Sequence, residues 1–544
     1  MTRINKLLIA LAAIASAGLG SCTKQFDSIN TNPDGLYPSE VAVDYQNLGS
    51  PLNQAQLNIL NYIDYNYQVQ QNLNADIFSG FMMSSTPFNG NINNTNYGLV
   101  PGWNNQAWDL AYSNVMAPIG TVLQATAGNP QYAPFYAWAK ILRVEAMHRI
   151  SDIYGPIIYS HYGTTNSDGS VTYDSQQAAY TEFFNDLDSA ISEFDAALAA
   201  APTSPAPFAQ FDLVYGGSYQ QWIKFANTLR LRLAIRVSLI DPTLAQTEGE
   251  KSLTDANGLL SVGGAPASGS DDAYVNIGNN ENPITLIAVA YGNINMGAPL
   301  LCYMNGYSDP RISTYAQTAT DPAVAGQYIG IRQGINIDAN GRYAGYSLPV
   351  NFPNYLLLMT AAEAWFLKAE AAIRGWNGAG NAETDYNTGI TTSMNQHGIG
   401  AAAATAYMTN TTLTEQPYID PKAITAGQNN VLAGSPYLST IPVAWNSSDP
   451  FQTMLQKIIT QKWIAMFPEG EEAWAEFRRT LYPTIFPVIV NNSGGTISTT
   501  EFIRRLPFAS DEYSTNPVGT QGAITLLGGP DNGGTPLWWD VNPH

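Results

Sequence analysis

The sequence predicts a mainly α-helical fold, a superhelical scaffold of tetratricopeptide-like helix pairs with long irregular loop insertions on one face. The first observation is that apolar residues recur at helical spacing in most segments between residues 52 and 480. The second is an alternation of small and large residues from Ala361 through Trp365 to Ala372, which is typical of tetratricopeptide helices, although no strict period of about 34 residues is visible. The third is that long turn-rich segments separate the periodic ones, so loops on a helical frame should carry the functional site.

The apolar periodicity predicts helices in chain order, and the clearest stripe contains Phe183, Leu187 and Ile191. Gly155 and Pro156 should end the third helix, because glycine accepts a left-handed cap and proline cannot continue a helix. The predicted helices cover Leu52–Ser84, Gln106–Thr126 with an interruption near Pro118, 133–154, 176–200, 218–239, 353–374, 383–397, 451–467 and 470–480. The insertions between them, which should be functional or hold small extra elements, are 85–104, 155–175, 241–352, 399–450 and 481–544.

The first residues indicate secretion. Arg3 and Lys6 precede an apolar run, Leu7–Leu19, that is too short to span a bilayer, so it reads as a signal peptide. Small residues before Cys22 are similar to a bacterial lipoprotein box, and the alternative is an ordinary signal peptide with a chance cysteine. We therefore expect a signal peptide at 1–21, a lipidated tether and N-terminal segment at 22–50, and a single α-helical domain at 51–544. Thr23 after the cysteine favours export to the outer membrane.

Composition excludes several classes of function. The net charge is −20, and it becomes −22 once Arg3 and Lys6 are removed with the signal peptide, so a nucleic acid partner is not expected. Cys302 is the only cysteine besides Cys22, so no disulfide framework is expected either. Uncharged polar and aromatic residues are abundant, and they suit neutral ligands such as sugars or peptides, although they could simply keep a secreted protein soluble.

Signatures of catalysis and of metal binding are absent from the sequence. It contains no G-x-S-x-G, H-E-x-x-H, P-loop or dinucleotide motif, and its histidines lack metal-ligand spacing. Asp338 and Asp531 begin short fragments of a calcium-loop pattern, but neither completes it. We expect no enzyme, no cofactor and no metal, while two carboxylates placed by the fold could still make a glycosidase.

Motifs spread along most of the chain carry a family resemblance. They are Phe26–Pro33 (FDSINTNP), Ile153–Ile157 (IYGPI), Tyr219–Arg236 (YQQWIKFANTLRLRLAIR), Tyr355–Ala372 (YLLLMTAAEAWFLKAEAA), Glu472–Pro483 (EAWAEFRRTLYP), Arg504–Pro507 (RRLP) and Trp538–Asp540 (WWD). In this order they resemble the SusD/RagB-like outer-membrane nutrient-binding lipoproteins, in the SusD-like subgroup with an N-terminal INTNPD segment.

The resemblance implies a lipid-anchored protein of the outer membrane, exposed at the cell surface, that is not an enzyme. Such a protein would capture oligosaccharides and pass them to a partner TonB-dependent outer-membrane transporter. The alternatives are a peptide-binding member of the same family, a secreted glycoside hydrolase, and a purely structural lipoprotein that stabilises its transporter.

Charged residues on the predicted helices are expected to be structural. Arg230, Arg232 and Arg236 share a helix with a large apolar face, so they should snorkel or pair with carboxylates inside the array. Glu363 and Glu370, seven residues apart on another helix, are the expected partners of those arginines.

Ligand contacts are expected from two loop segments in which aromatic and amide side chains are dense. Sugar rings stack on aromatic faces, and their hydroxyls need amide or carboxylate partners. The candidates are Asn93, Asn94, Asn96, Tyr97, Trp103 and Asn104 in the first segment, and Tyr291, Asn293, Asn295, Tyr303 and Tyr307 in the second. The alternative is that these side chains pin the loops to the scaffold.

Overall fold

A computed structural model describes residues 43–202, 204–266 and 268–542. The predicted signal peptide, Cys22, Thr23 and the motif Phe26–Pro33 lie outside the described residues. Residues 43–48 belong to a separate N-terminal unit, and the rest of the description concerns the unit that begins at Gly49. The domain boundaries drawn from the sequence therefore stay a prediction.

Helices of eight or more residues dominate the described chain. They are α1 (Gln46–Ile59), α2 (Pro101–Leu110), α3 (Ala117–Thr126), α4 (Ala133–Tyr154), α5 (Gln176–Ala200), α6 (Tyr219–Arg236), α7 (Pro242–Thr254), α8 (Ala298–Gly306), α9 (Ala361–Ile373), α10 (Ala382–Gln396), α11 (Ala401–Met408), α12 (Phe451–Ala465), α13 (Gly470–Thr480) and α14 (Pro517–Leu527). Of these, α7, α8, α11 and α14 lie in the predicted insertions, which do hold extra elements.

Shorter elements connect these helices. Short α-helices span Asp64–Tyr67, Ala75–Phe78, Phe88–Asn91, Pro283–Thr285, Ile312–Tyr315 and Glu512–Thr515. Single turns of 3₁₀-helix lie at Val43–Tyr45, Asn94–Asn96, Pro130–Tyr132 and Ala209–Phe211, and π-helical segments at Gln68–Asn72, Ala111–Met116 and Leu286–Ala290. The strands are β1 (Met82–Met83), β2 (Ala273–Asn276), β3 (Asn295–Met296) and β4 (Tyr355–Met359), and they form two antiparallel pairs, β1 with β3 and β2 with β4.

Sequential helices pack side by side as pairs. Helix α4 packs on α5, α6 on α7 and α9 on α10, while α5 also contacts α6 and α9 contacts both α6 and α12. The helices bury large aromatic side chains, including Trp138, Trp222, Trp463 and Trp474. This arrangement confirms the mainly helical, tetratricopeptide-like scaffold that the sequence predicts.

Several helix boundaries agree with the sequence prediction. Helices α4, α5 and α13 match it at both ends, and α6, α10 and α12 match within three residues. Gly155 ends α4 as predicted, but its φ of +92° and ψ of −115° differ from those of the left-handed cap that was expected, and they still suit glycine. The second predicted helix begins earlier, at Pro101, and its interruption is the π-helical segment Ala111–Met116 rather than a break at Pro118.

The prediction of one helix over Leu52–Ser84 is wrong. Helix α1 ends at Ile59, and Asn61 then adopts a left-handed conformation. Beyond it, amide side chains bond to the backbone, since Gln70 Nε2 donates to the carbonyl of Ile59 and Asn74 Nδ2 to that of Val69. Such bonds compete with helical ones, so short helical pieces replace a continuous helix.

The predicted helix over 353–374 is also wrong in its first part. Residues Tyr355–Met359 form β4, which pairs with β2, and helix α9 begins only at Ala361. Thr360 separates them, because its hydroxyl accepts a hydrogen bond from Glu363 N at 3.0 Å and so caps the helix. A short apolar run such as Leu356–Met359 fits a buried strand as well as a helix.

Buried ion pairs join the inner helices. Arg232 pairs with Glu363, and Arg236 pairs with Glu472, as expected for the arginines of α6. Glu370 differs from the expectation, because its partners are Arg479 and Arg374 rather than arginines of α6. Burial alone would raise the pKa of Glu472, but Arg236, Arg232 and Lys462 together lower it to about 2. Arg230 lies nearer the surface and pairs with Asp188.

Candidate ligand-binding site

The two loop segments singled out in the sequence lie side by side. Strands β1 and β3 place Met82 opposite Met296. Just beyond this pairing, Ser84 Oγ donates to the carbonyl of Asn293 at 2.9 Å, and Thr86 Oγ1 donates to Asn293 Oδ1 at 2.9 Å. Phe88 and Tyr291 are each two residues from these hydrogen-bonded positions, and two residues span at most about 7 Å. These contacts join the two segments within two residues of Phe88 on one side and of Tyr291 on the other.

Five candidates of the first segment are buried and hold the loop together. Asn93 caps the turn Asn94–Asn96, accepting from Thr95 N at 3.0 Å, and its own N–H donates to Asn96 Oδ1 at 3.2 Å. Asn94 Nδ2 donates to Asn104 Oδ1 at 3.0 Å, and Tyr97 is buried in a left-handed conformation. These contacts account for the four asparagines as supports of the loop, and Tyr97 is enclosed, so the five side chains offer little to a ligand at the surface.

Three candidates of the second segment are buried in the same way. Asn295 Nδ2 donates to the carbonyl of Tyr346 at 3.0 Å. The hydroxyl of Tyr303 donates to the carbonyl of Thr484 at 3.1 Å, and that of Tyr307 to the carbonyl of Ile441 at 2.8 Å. The alternative interpretation, that such side chains pin loops to the scaffold, describes these residues best.

The remaining candidates reach the surface. Trp103 is half-buried at the start of α2, and its ring meets that of Phe88 edge to face at 5.6 Å. Tyr291 is 43% exposed, and its hydroxyl donates to Asp64 Oδ2 at 2.7 Å. The hydrogen bond to this carboxylate raises the pKa of Tyr291 above its ordinary value. Asn293 is half-buried between the two segments.

Sequence reasoning missed part of this surface. Tyr65, on the short helix Asp64–Tyr67, is 56% exposed, and Val289, in the π-helical segment before Tyr291, is also exposed. The error followed from assigning Leu52–Ser84 to one helix, where Tyr65 would be one more aromatic residue of the frame. The concentration of tyrosines between Tyr62 and Tyr67 could have indicated a surface aromatic cluster. We call Tyr65, Phe88, Trp103 and Tyr291 the aromatic face.

Several carboxyl groups with raised pKa values are buried in the scaffold. Burial raises the pKa of Asp76, Asp272 and Glu471 to about 7, and each of these side chains is almost fully enclosed. The calcium-loop candidates are engaged as well, since Asp338 pairs with Arg342 and Asp531 with Arg505. Within the described residues there is no group of three or more metal-ligating side chains. The same part of the chain contains no helix long and apolar enough to cross a membrane.

Comparison with known proteins gives the family. The profile described as Susd and RagB outer membrane lipoprotein matches residues 28–540. A solved chitin-binding SusD homologue from Flavobacterium johnsoniae is 40% identical, with a TM-score of 0.85 over 91% of this chain and 99% of that one. A SusD homologue from Bacteroides vulgatus is 37% identical, with a TM-score of 0.84 over 92% of this chain and 99% of that one. No curated protein sequence matched. The chain belongs to the SusD-like family of outer-membrane lipoproteins.

Proposed function

We propose that this lipoprotein captures oligosaccharides on the aromatic face, without hydrolysing them, and passes them to a partner TonB-dependent outer-membrane transporter. The observation that carries the proposal is that partly exposed aromatic rings lie beside two loops that hydrogen bond to each other at Asn293. Tyr65 and Tyr291 flank Asp64, while Phe88 and Trp103 lie where the neighbouring loop meets Asn293. Aromatic rings with carboxylate and amide groups beside them suit sugar rings and their hydroxyls.

An oligosaccharide fits this surface better than a small ligand does. Tyr65 and Tyr291 stand on an open surface, not in an enclosed pocket. A chain of several sugars can gain from stacking at successive rings, whereas a single ring would gain at only one. The relative from Flavobacterium johnsoniae is described as chitin-binding, and its 40% identity supports a neutral polysaccharide as the source of the ligand.

Membrane attachment would come from Cys22. Acyl chains on this residue would anchor the protein stably, since more than one chain is needed for lasting attachment. The family described as outer-membrane lipoproteins supports this assignment. The tether would leave the helical body free to meet both glycan and transporter.

The carboxyl groups of the described residues favour binding of a glycan over its hydrolysis. A glycosidase needs two carboxyl groups placed about 5–10 Å apart across the scissile bond, one of them with a raised pKa. The raised carboxyls of Asp76, Asp272 and Glu471 are enclosed by the scaffold. Asp64 is the carboxylate at the aromatic face, and its side chain already accepts a hydrogen bond from Tyr291.

The test is calorimetric titration of residues 23–544 with chito-oligosaccharides, other oligosaccharides and peptides, with products analysed after each titration. We expect saturable heat with one class of glycan and no product. Heat with peptides alone would identify a peptide-binding member of the family, and released sugar would identify a hydrolase. Co-purification of the native protein with an outer-membrane transporter tests the proposed partner. If the protein co-purifies but binds no ligand, its role is structural.

A further inference from the structure

The two stretches of chain that carry the aromatic face contain no basic residue. Lys, Arg and His are absent from residues 49–139, which hold three of its rings, and from residues 252–310, which hold Tyr291. The charged side chains of both stretches are aspartate and glutamate only. From these stretches, a ligand at the face therefore meets neutral or negatively charged groups.

Elsewhere in the described ranges, the Lys and Arg side chains already have partners. All of them except Arg332 and Arg478 pair with a carboxylate. These two arginines are buried and donate to backbone carbonyls, Arg332 to that of Asn429 and Arg478 to that of Asp152. An anionic ligand would have to break one of these contacts to gain a cation. Glycans with uronate or sulfate groups are therefore poor ligands for this surface.

Asp64 is the carboxylate held beside the tyrosines of the aromatic face. Its Oδ1 accepts a hydrogen bond from Tyr65 N at 2.8 Å, and its Oδ2 accepts one from the hydroxyl of Tyr291 at 2.7 Å. A carboxylate has about four acceptor positions, so each oxygen keeps one for a ligand. Asp64 takes part in none of the ion pairs within the described ranges, so its charge is not balanced by a basic side chain there.

A carboxylate beside exposed aromatic rings favours a positively charged group. An ammonium group donates charge-assisted hydrogen bonds to a carboxylate, and the face of a tyrosine ring attracts a cation within about 6 Å of its centroid. Tyr65 is 56% exposed and Tyr291 is 43% exposed, so a ligand can reach both rings. A sugar hydroxyl could use the same acceptor positions, but it would gain no attraction between opposite charges.

We propose that the aromatic face prefers glycans whose sugars carry free amino groups to their N-acetylated counterparts, and that it binds glycans with uronate or sulfate groups least. This inference rests on the proposed function, because it concerns the ligand of the same site. Asp64 is the residue that discriminates. The ammonium group of a hexosamine would pair with Asp64 while the sugar rings stack on the aromatic side chains, and N-acetylation would remove the charge that makes this pair.

The test is calorimetric titration of the mature, acylated protein in detergent, at a mildly acidic pH at which free amino sugars are protonated. The ligands are oligomers of D-glucosamine, N-acetyl-D-glucosamine and D-galacturonic acid of equal length. At low salt, we expect the glucosamine oligomer to bind roughly 1.5- to fivefold more tightly than the N-acetylated one, the range for an exposed ion pair. High salt should remove this preference. The galacturonic acid oligomer should bind more weakly than both.

Asp64→Asn separates the effect of charge from the contacts of the acetyl group. The variant keeps an acceptor for the hydroxyl of Tyr291 and removes the charge. It should weaken binding of the glucosamine oligomer roughly 1.5- to fivefold more than binding of the N-acetylated one. Glu383→Gln is the matched control, since Glu383 is an exposed carboxylate on α10 that also accepts a hydrogen bond from a hydroxyl, that of Ser447. It should leave the ratio of the two dissociation constants unchanged.

Three outcomes would overturn this inference. They are an unchanged ratio in Asp64→Asn, a galacturonic acid oligomer that binds as tightly as the N-acetylated one, and a glucosamine oligomer that does not bind at all. In each case, binding of any other oligosaccharide would leave the proposed function standing. If no oligosaccharide binds, the proposed function fails and this inference fails with it.

Discussion

Arg232 and Glu363 form a two-pronged ion pair inside the helical array, with Nε 2.8 Å from Oε1 and Nη2 2.7 Å from Oε2. They are 131 residues apart in sequence and lie on α6 and α9, so the pair fixes how these two helices approach. Lys462 Nζ lies 3.5 Å from the same carboxylate and ties in α12. With all partners present, the charges compensate one another, so the array depends on the complete set.

Removing one member of this set should destabilise the protein strongly. We expect Glu363→Gln to lower the free energy of unfolding by about 3–5 kcal/mol, because it leaves Arg232 buried with its charge poorly compensated. Urea denaturation followed by circular dichroism measures the change. The control is Glu281→Gln at an exposed position, which should have little effect. Equal stability of both variants would mean that the pair does not hold the array.

Leu187, on the buried face of α5, should contribute measurably to the free energy of unfolding. Leu187 is fully buried, and Leu187→Ala should cost about 2–5 kcal/mol through the cavity it leaves. Thermal and urea unfolding provide the measurement, with Leu526→Ala, at a position 47% exposed, as the matched control. A negligible shift for Leu187→Ala would contradict the helical stripe read from the sequence.

The aromatic face makes a direct prediction for affinity. Trp103→Ala should weaken oligosaccharide binding by roughly 1–3 kcal/mol, by analogy with base stacking on aromatic side chains. The change in affinity is measured by calorimetric titration with the glycan that the ligand panel identifies. Trp445→Ala is the control, since Trp445 is also half-buried but packs against Tyr386. An unchanged dissociation constant for Trp103→Ala would remove this residue from the site.

Asp272 should make the free energy of unfolding depend on pH between about 4 and 7. Burial raises its pKa from 3.8 to about 7, so between these values the folded state binds more protons than the unfolded state. The contribution of Asp272 to stability is therefore greatest at low pH and falls as the pH rises towards 7. In Asp272→Asn the fall of the unfolding free energy towards pH 7 should be smaller than in the unmodified protein, while Asp76 and Glu471 still contribute theirs. An unaltered profile in Asp272→Asn would refute the assignment.

Membrane attachment should depend on Cys22. Cys22→Ala should move the protein from the membrane fraction to the soluble fraction, because it removes the site of acylation. Fractionation with immunoblotting measures the distribution. Cys302→Ala is the control, since Cys302 is buried in the helical body. Retention of Cys22→Ala in membranes would exclude this residue as the anchor.

Helical scaffold and site were predictable from the sequence to different degrees. Helix α5 was predicted at both ends because its wide apolar stripe follows one period over 25 residues. β4 was missed because Leu356–Met359 is apolar at every position, so it carries no period at all. Arg232 and Glu363 were predicted to pair, since buried charges need partners, whereas the partner of Glu370 depended on how α13 packs.

The site was harder because exposure is a tertiary property. Asn94 and Trp103 are close in sequence and both suit sugar binding, yet Asn94 is fully buried while Trp103 reaches the surface. Composition marked a loop rich in aromatic and amide residues and could not say which of its side chains point outward. Tyr65 was missed for the related reason that a polar, tyrosine-rich segment was taken for part of a long helix.

The pairing of β1 with β3 has a consequence for how this protein can diversify. Two short strands join loops whose hydrogen-bonded residues, Ser84 and Asn293, are 209 positions apart, while the buried ion pairs join residues of the helices α6, α9, α12 and α13. If the aromatic face binds the ligand as proposed, recognition and folding stability are encoded in different stretches of the chain. We expect that exchanging residues 64–67, 84–104 and 286–295 together between relatives would transfer ligand preference, whereas exchanging one of the two paired loops alone would break the hydrogen bonds of Ser84 and Thr86 to Asn293.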